Sequence, residues 1–285
     1  MAMLGKKKHH MIPSRLETGL ARRNRIAAQG HLYARPLISG LEESAEVSLS
    51  VISPPSLADM LLCGELDAAL LPSVDLQAVG GLTVIPAGCV SASGVALVAR
   101  IFSRVRPAQI SALWVDVEAH TSVVLARVLW SNLFNTRLDI LPYDPADLDA
   151  PDDIEAVLLV GDKVITAPPL GFDWQIDLAQ MWFEMAGLPL VFAVWVAADA
   201  ADAPELYRIL SAARIRGSCN LDQIAQQHAM LYDWPADLAS RYVNKHLHFE
   251  FADSQREGME EFFHLAVECG AMDEFPKLRY YKPPG

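Results

Sequence analysis

The sequence contains no apolar run long enough to span a membrane. The longest candidates, near Ala156–Val160 and Leu188–Ala198, have the length of β-strands. The basic cluster Lys6–His10 is not followed by the apolar core of a secretory signal. We therefore expect a cytoplasmic protein in which residues 1–21 form a disordered leader, and we expect no membrane partner.

Basic residues are too few for a nucleic acid interface. The net charge is −12, and no basic stripe is interleaved with aromatic residues, so a nucleic acid partner is not expected. The four cysteines form no C-x-x-C pair. This indicates buried free thiols in a reducing compartment.

Familiar catalytic and metal-binding motifs are also missing. The sequence has no G-x-S-x-G, P-loop, H-E-x-x-H or dinucleotide-binding glycine pattern. His246 and His248 are two residues apart, so on a helix they would face different directions. His228 and His264 fall in helical patterns, where we expect surface or packing roles. The sequence predicts no metal and no cofactor.

What the chain does contain is typical of a well-buried globular protein. Apolar residues make up 52% of the chain and charged residues 20%, which argues against long disorder. With 285 residues, the chain exceeds what one compact core usually uses, so two lobes are expected. Strands alternate with helices up to about residue 200, and helical patterns dominate from Pro204 to Phe275.

This order predicts an α/β protein with two lobes and a helical C-terminal region that packs back on the first lobe. Such an architecture closes on a ligand by a hinge. The predicted boundaries are 22–106 with 204–285 for the first lobe and 107–203 for the second, with crossings near Arg104–Ile110 and Ala198–Ala203.

The segment from Pro54 to Ser73 is the most informative one. Ser56 is placed to cap a short helix, and Gly64 offers the left-handed position that ends it. The apolar run Ala68–Leu71 then predicts a buried strand that ends at Ser73. Because ligands bind at the carboxyl ends of strands in such sheets, Ser73 is a candidate ligand contact.

Thr121 and Ser122 open a long apolar-striped helix directly after a predicted strand. Their hydroxyls, with the free amides of the first helical turn, can hold a carboxylate or a phosphate. Alternatively, one of the two residues is simply the helix cap.

Two further polar segments lie beside predicted strands. The first contains Ser91, Ser93 and Gly94 and either admits a ligand close to the backbone or forms a plain turn. Asp162 follows the strand Ala156–Val160 and either orients a ligand hydroxyl or stabilises a turn. Both alternatives stay open for each segment.

Several segments, in this order and spacing, resemble the chorismate dehydratases of the futalosine route to menaquinone, the MqnA family. The resemblance spans roughly residues 22 to 280. The segments that carry it are G-H-L-Y-A-R-P-L (30–37), G-E-L-D-A-A-L-L-P-S (64–73), H-T-S-V (120–123), L-L-V-G-D-K (158–163) and the closing stretch from Phe251 to Tyr280.

The resemblance implies a two-lobed fold like the type II periplasmic binding proteins. It also implies a hydro-lyase that dehydrates chorismate to 3-[(1-carboxyvinyl)oxy]benzoate without a cofactor. The expected partner is a small dicarboxylate, chorismate or an analogue, and a homodimer is left open. The resemblance and the helix start together place the carboxylates of this small molecule at Thr121 and Ser122, with Ser73 and the segment containing Ser91 as further candidates.

The sequence departs from the family pattern at two positions. Tyr33 stands where the family usually has its active-site asparagine, and Val98 stands where it tends to have serine or threonine. Tyrosine can donate a hydrogen bond and is the predicted catalytic residue, whereas valine cannot donate one. The alternatives are a binding protein or pseudoenzyme for a small carboxylate and a related enzyme acting on a larger menaquinone precursor.

Overall fold

The computed structural model describes residues 23–144 and 154–284; the predicted leader lies outside the described residues. Eleven strands are formed within these ranges. They are β1 Asn24–Ala28, β2 Val47–Val51, β3 Ala68–Pro72, β4 Thr83–Ala92, β5 Ala99–Ser103, β6 Ala112–Asp116, β7 Asp139–Tyr143, β8 Ala156–Val160, β9 Trp174–Asp177, β10 Leu190–Ala197 and β11 Arg279–Tyr280.

Eight α-helices connect and cover these strands in the same part of the chain. A 3₁₀ helix, Leu32–Ile38, follows β1, and a π-helical turn spans Tyr242–His246. The α-helices are α1 Leu57–Leu62, α2 His120–Phe134, α3 Lys163–Thr166, α4 Leu178–Ala186, α5 Ala203–Ser218, α6 Leu221–Tyr232, α7 Ala236–Arg241 and α8 Asp253–Glu268.

The strands form two sheets, and each sheet is the centre of one lobe. The first lobe has the strand order β11-β4-β10-β3-β1-β2, and the second has the order β7-β6-β8-β5-β9. In the first sheet β10 runs antiparallel to both neighbours, β3 and β4. All eight β10 residues are buried, which is why this central strand is an unbroken apolar run.

The strands are divided between the sheets differently from the predicted lobes. Residues 99–103 were expected in the first lobe but pair with β8 and β9 of the second sheet. Residues 190–197 were expected in the second lobe but lie at the centre of the first sheet. The chain therefore crosses between lobes at residues 93–98 and between β9 and β10, rather than near Arg104–Ile110 and Ala198–Ala203.

Asp177 stabilises both crossings. Its carboxylate accepts hydrogen bonds from the amides of Ala179 and Gln180 and so caps α4. The same carboxylate accepts bonds from the amides of Ala96 (3.2 Å) and Leu97 (2.8 Å) on the other crossing. Leu97 has a φ of 58°, which is unfavourable for a residue with a side chain. The hydrogen bonds to Asp177 offset the free energy that this backbone conformation costs.

The predicted unit from Pro54 to Ser73 is formed with one difference. The helix ends at Leu62 with Cys63 as its C-cap, Gly64 follows with a φ of 72°, and β3 ends next to Ser73. Ser56, however, makes no capping hydrogen bond. A capping residue has an extended backbone, but Ser56 is already helical because it belongs to the turn Pro54–Ser56 that precedes α1. The predicted cap at Ser56 is therefore wrong.

The C-terminal helices pack back on the first lobe, as predicted. Helix α5 contacts β4 and the 3₁₀ helix, and α8 contacts β10. Among the described residues, no helix combines the length and the apolar character needed to cross a membrane.

Candidate functional site

A small cavity lies where the two lobes meet. Its volume is about 30 Å³, which is room for about one water molecule. Its walls come from both lobes and include Tyr33, Phe192, Val98, Glu118, Thr121 and Ser122. The two positions that depart from the family pattern, 33 and 98, therefore face the same space.

The first turn of α2 forms one wall of this cavity. The amides of Thr121 and Ser122 donate no backbone hydrogen bond within the described residues, because they belong to the first turn of the helix. Ser122 is buried, and its hydroxyl forms no hydrogen bond within the same part of the chain. These donors, together with the positive end of a helix of fifteen residues, are suited to holding a carboxylate.

The hydroxyls of Thr121 and Ser73 are already engaged. Thr121 donates to the carbonyl oxygen of Phe192 (3.1 Å), and Ser73 donates to that of Val191 (2.8 Å). Each hydroxyl has one proton, so neither can also donate to a ligand. At these two positions the predicted hydroxyl contacts are therefore replaced by bonds to β10, and the amide of Thr121 remains available.

His120 begins α2 and lies on the cavity wall. Its Nδ1 is 2.9 Å from both carboxylate oxygens of Asp75 in the first lobe. The hydrogen bond to Asp75 raises the pKa of His120, and this effect exceeds the opposite effect of burial. The bond to Asp75 therefore favours the protonated form of the ring at the start of the helix.

Glu118 is the acidic residue among those that line the cavity. Its Oε2 is 2.7 Å from Lys163 Nζ, and its Oε1 accepts a hydrogen bond from Ser53 (2.8 Å). Lys163 also pairs with the fully buried carboxylate of Asp116, at 2.6 Å. Hydrogen bonds from His31 and Lys163 outweigh burial and hold the pKa of Glu118 far below its usual value.

His31 lies between two acidic residues of the second lobe. Its Nε2 is 3.5 Å from Glu118 Oε2, and its Nδ1 is 3.8 Å from Asp162 Oδ2. Burial lowers the pKa of His31, but the bonds to Asp162 and Glu118 raise it to about 9. The Asp162 amide also points at Nδ1 from 3.4 Å. Only a neutral ring can accept this long bond, so the bond favours the neutral form of His31. The effect of the two carboxylates on the pKa is larger and favours the protonated form.

Tyr33 is buried, with 7% of its surface exposed, and its ring centre is 5.1 Å from that of His31. Burial raises the pKa of its phenol well above the usual value, and the charges of Glu118, Asp162 and Asp116 add to the shift. Tyr33 is therefore a neutral hydrogen-bond donor at the cavity.

The other predicted site residues lie elsewhere. Ser91 is within β4, and its hydroxyl donates to the carbonyl oxygen of His248 (3.1 Å). Ser93 and Gly94 follow on the crossing and do not line the cavity. Asp162 does not line it either, because its carboxylate is directed at the first lobe. It accepts hydrogen bonds from the Leu32 amide (3.0 Å) and from His228 (2.6 Å).

Seven charged or titratable residues of this region were not predicted as site residues. His228, expected to have a surface or packing role, is 3% exposed and bonded to Asp162. For His120, the sequence offered one signal, its position directly before Thr121 and Ser122. The remaining members have partners that are distant in sequence, and they are His31, Asp75, Asp116, Glu118 and Lys163.

A larger groove of about 490 Å³ lies on the first lobe, between the 3₁₀ helix and α6. Arginines, acidic residues and amides line it together, and His228 is at its edge. We regard the smaller cavity as the candidate site, because the titratable groups and the free α2 amides face it. In the described ranges, no group of three or more His, Cys, Asp or Glu residues could hold a metal ion.

Comparison with known families gives one match over most of the chain. The family described as "Menaquinone biosynthesis" matches residues 25–268. This range includes both lobes apart from Asn24 and β11, and it includes every residue of the cavity described above.

Solved structures with the same fold have low sequence identity to the chain. Protein AF1704 from Archaeoglobus fulgidus has a TM-score of 0.70 and 14% identity, over 88% of this chain and 98% of that one. The periplasmic aliphatic sulphonate binding protein SsuA from Escherichia coli has a TM-score of 0.64 and 14% identity, over 92% of each chain. The alkanesulfonate-binding protein SsuA from Xanthomonas axonopodis pv. citri has a TM-score of 0.62 and 11% identity, over 91% and 98%. The fold is therefore the predicted periplasmic-binding-protein-like fold.

Proposed function

The chain belongs to the menaquinone biosynthesis family, and from this premise we propose that it dehydrates chorismate to 3-[(1-carboxyvinyl)oxy]benzoate. This is the carbon–oxygen lyase step of the futalosine route. The proposal rests on one observation above all. A neutral phenol, an ionised carboxylate and the free amides of a helix start, beside a histidine, face one cavity between two lobes.

The reaction makes modest demands on a protein. A proton leaves C3, where conjugation to the ring carboxylate makes it acidic, and the C4 hydroxyl leaves with the electron pair of its bond. Proton and hydroxide form water, and the ring becomes aromatic. The site must hold two carboxylates, accept one proton and donate one hydrogen bond to the leaving group.

The start of α2 supports the first demand. The amides of Thr121 and Ser122, the Ser122 hydroxyl and the His120 ring are donors or positive charges on one wall. In a chain of net charge −12, such a local arrangement is needed to attract an anion. We assign one substrate carboxylate to this wall.

Tyr33 and Glu118 support the other two demands. The phenol of Tyr33 stays protonated because burial raises its pKa, and it can donate its proton to the departing hydroxyl. The proton that Glu118 takes from C3 then returns to the Tyr33 oxygen, so one water leaves and both side chains regain their starting forms. Glu118 is held ionised by Lys163 and His31. A carboxylate with a low pKa is a weak base, and an elimination that creates an aromatic ring requires only a weak base.

Binding requires the lobes to separate first. A cavity of about 30 Å³ cannot admit a substituted six-membered ring, so the described conformation is a closed one. Opening by movement at the two crossings would admit the substrate, and closing would bring the α2 amides and Tyr33 around it.

A second candidate function is binding of a small carboxylate without chemistry. It is favoured by the replacement of asparagine by Tyr33 and of serine or threonine by Val98, both on the cavity wall. These side chains fill space and, at position 98, remove a hydrogen-bond donor.

One experiment separates the two candidates. Purified protein is incubated with chorismate, the enolpyruvyl benzoate is quantified by chromatography with mass detection, and thermal stabilisation by chorismate is measured in parallel. Product formed well above the spontaneous rate supports the dehydratase. Stabilisation without product supports the binding protein. If chorismate gives no product and no stabilisation, both candidate functions are contradicted.

A further inference from the structure

Asp162 connects the two lobes at a point behind the cavity wall. It follows β8 of the second lobe, yet both carboxylate oxygens are bonded to the first lobe. Oδ1 accepts a hydrogen bond from the Leu32 amide at 3.0 Å, and Oδ2 accepts one from His228 Nε2 at 2.6 Å. Hydrogen bonds to a charged carboxylate are about twice as strong as neutral ones.

His228 is fixed in position by its surroundings. It lies on α6, is 3% exposed, and stacks on Tyr232 with ring centres 4.3 Å apart. Burial of an imidazole requires a partner for its N–H groups, and Asp162 provides that partner for Nε2. The side chain has no contact with the cavity, so the chemistry of the proposed reaction does not use it.

The Leu32 amide has no partner within its own helix. Leu32 is the first residue of the 3₁₀ helix Leu32–Ile38, so its N–H is one of the unsatisfied amides of a helix start. Asp162 accepts from this amide across the lobe boundary. The next residue, Tyr33, is on the cavity wall, so this bond also sets the position of the predicted catalytic residue.

The His31 ring makes a third contact between the lobes at the same place, against Gly161. Gly161 has a φ of 73°, and a Cβ at this position would lie 2.5 Å from Cε1 of His31. The His31 ring is thus seated directly on the backbone that carries Asp162. Any separation of the lobes at this point must break the bonds to Leu32 and His228 together.

We propose that Asp162 and His228 form a latch that holds the two lobes closed over the cavity and thereby positions Tyr33. Bonds that exist only in the closed state favour that state by their own free energy. The latch acts through the conformation of the protein, so the inference holds whatever ligand the cavity takes and does not depend on chorismate turnover. Asp162 and His228 are positioning residues and not catalytic ones.

The exchange of the Leu32 amide hydrogen with solvent reports the latch directly. His228→Phe keeps the stacking on Tyr232 but removes the donor to Asp162. It leaves the Leu32 bond itself chemically intact, so faster exchange at Leu32 indicates more frequent separation of the lobes when the free energy of global unfolding is unchanged. We expect exchange at Leu32 in the ligand-free protein to accelerate about tenfold or more. His228→Gln, which retains an N–H donor, should restore much of the protection.

The matched control is His264→Phe, on the exposed face of α8 beside Phe275, which should leave Leu32 exchange unchanged. If His228→Phe does not fold, Asp162→Asn replaces it, because the amide keeps the shape but loses the charge. Leu32 exchange equal to that of the unmodified protein, in a folded His228→Phe or Asp162→Asn variant, would overturn the proposal. Small-angle scattering provides a second readout, a larger radius of gyration in the variant.

Discussion

His120 and Asp75 face each other across the boundary between the lobes, with Nδ1 2.9 Å from both carboxylate oxygens. The pair serves two purposes. It ties the start of α2 to the first lobe, and it raises the pKa of a ring that lines the cavity. A substrate carboxylate placed at the Thr121 and Ser122 amides would lie beside this ring.

The first prediction concerns the cavity wall at the start of α2, formed by His120, Thr121 and Ser122, to which we assign a substrate carboxylate. His120→Gln should raise the KM for chorismate about tenfold with a smaller effect on kcat, because removing charge at the helix start weakens ground-state binding. Ser122→Ala should raise KM by a similar factor, because the Ser122 hydroxyl has no hydrogen-bond partner among the described residues. Thr121→Val is the contrasting variant. Its hydroxyl already bonds to Phe192, so stability should fall more than affinity. A His120→Gln enzyme with unchanged KM would contradict this assignment.

The second prediction concerns Tyr33. Tyr33→Phe removes only the phenol oxygen, so the cavity wall keeps its shape. We expect kcat to fall about 10²-fold or more, the usual contribution of a positioned proton donor, with little change in KM. Steady-state kinetics on chorismate measure both constants. A Tyr33→Phe enzyme with normal kcat would assign the proton donor to another group.

The third prediction is a pH dependence that arises from His31. Its pKa is about 9 in the folded protein, above the usual value of about 6.5. A raised pKa stabilises the folded, closed form fully below about pH 6.5, and this contribution is lost as the pH rises towards 9. The free energy of unfolding should therefore fall by about 1–3 kcal/mol over this window.

The groups that face His31 are Glu118, Asp162 and the ring of Tyr33. In a His31→Gln variant the decrease between pH 6.5 and 9 should shrink, because the neutral amide does not titrate. Histidine NMR resonances give the pKa itself. A value near 6.5 for His31 would show that the two carboxylates do not hold the ring charged.

The fourth prediction concerns packing behind Tyr33. A Cβ at Gly217, in the last turn of α5, would lie 1.9 Å from the carbonyl oxygen of Pro36. Gly217→Ala should therefore lower the free energy of unfolding by about 1–3 kcal/mol, despite the better helix propensity of alanine. Gly80→Ala is the control, since its nearest contact would be an ordinary 3.8 Å. Equal melting temperatures for the two variants would contradict this packing.

Much of the fold could be predicted from local patterns. The strand Ala156–Val160 and the helix that ends at Phe134 have the predicted bounds or nearly so, because both combine an unbroken apolar pattern with clear end signals. The strand Trp174–Asp177 was not predicted. It has four residues, and Trp174 is 41% exposed, so it carries no apolar run. The lobe boundaries differ because strand pairing across a sheet is not encoded in the local pattern.

The candidate site was predictable only in part. Tyr33, Thr121 and Ser122 were found through the family resemblance and the helix start. The charged pairs were not, because each depends on residues that are distant in the chain; His120 and Asp75 are 45 positions apart. Hydroxyls were predicted as ligand contacts, but at Ser73 and Thr121 their protons go to carbonyl oxygens of β10. That competition depends on where β10 lies in the fold, which the local sequence pattern does not show.

We propose that this cavity, with Tyr33 and Val98 in it, dehydrates chorismate. The most direct test is the initial rate of enolpyruvyl benzoate formation by the unmodified protein and by the double variant Tyr33→Asn with Val98→Ser, measured side by side. We predict turnover well above the spontaneous rate for the unmodified protein and a lower rate for the double variant, because Tyr33 supplies the proton. No turnover by the unmodified protein, with turnover gained by the double variant, would contradict the account and identify a site that has lost its chemistry.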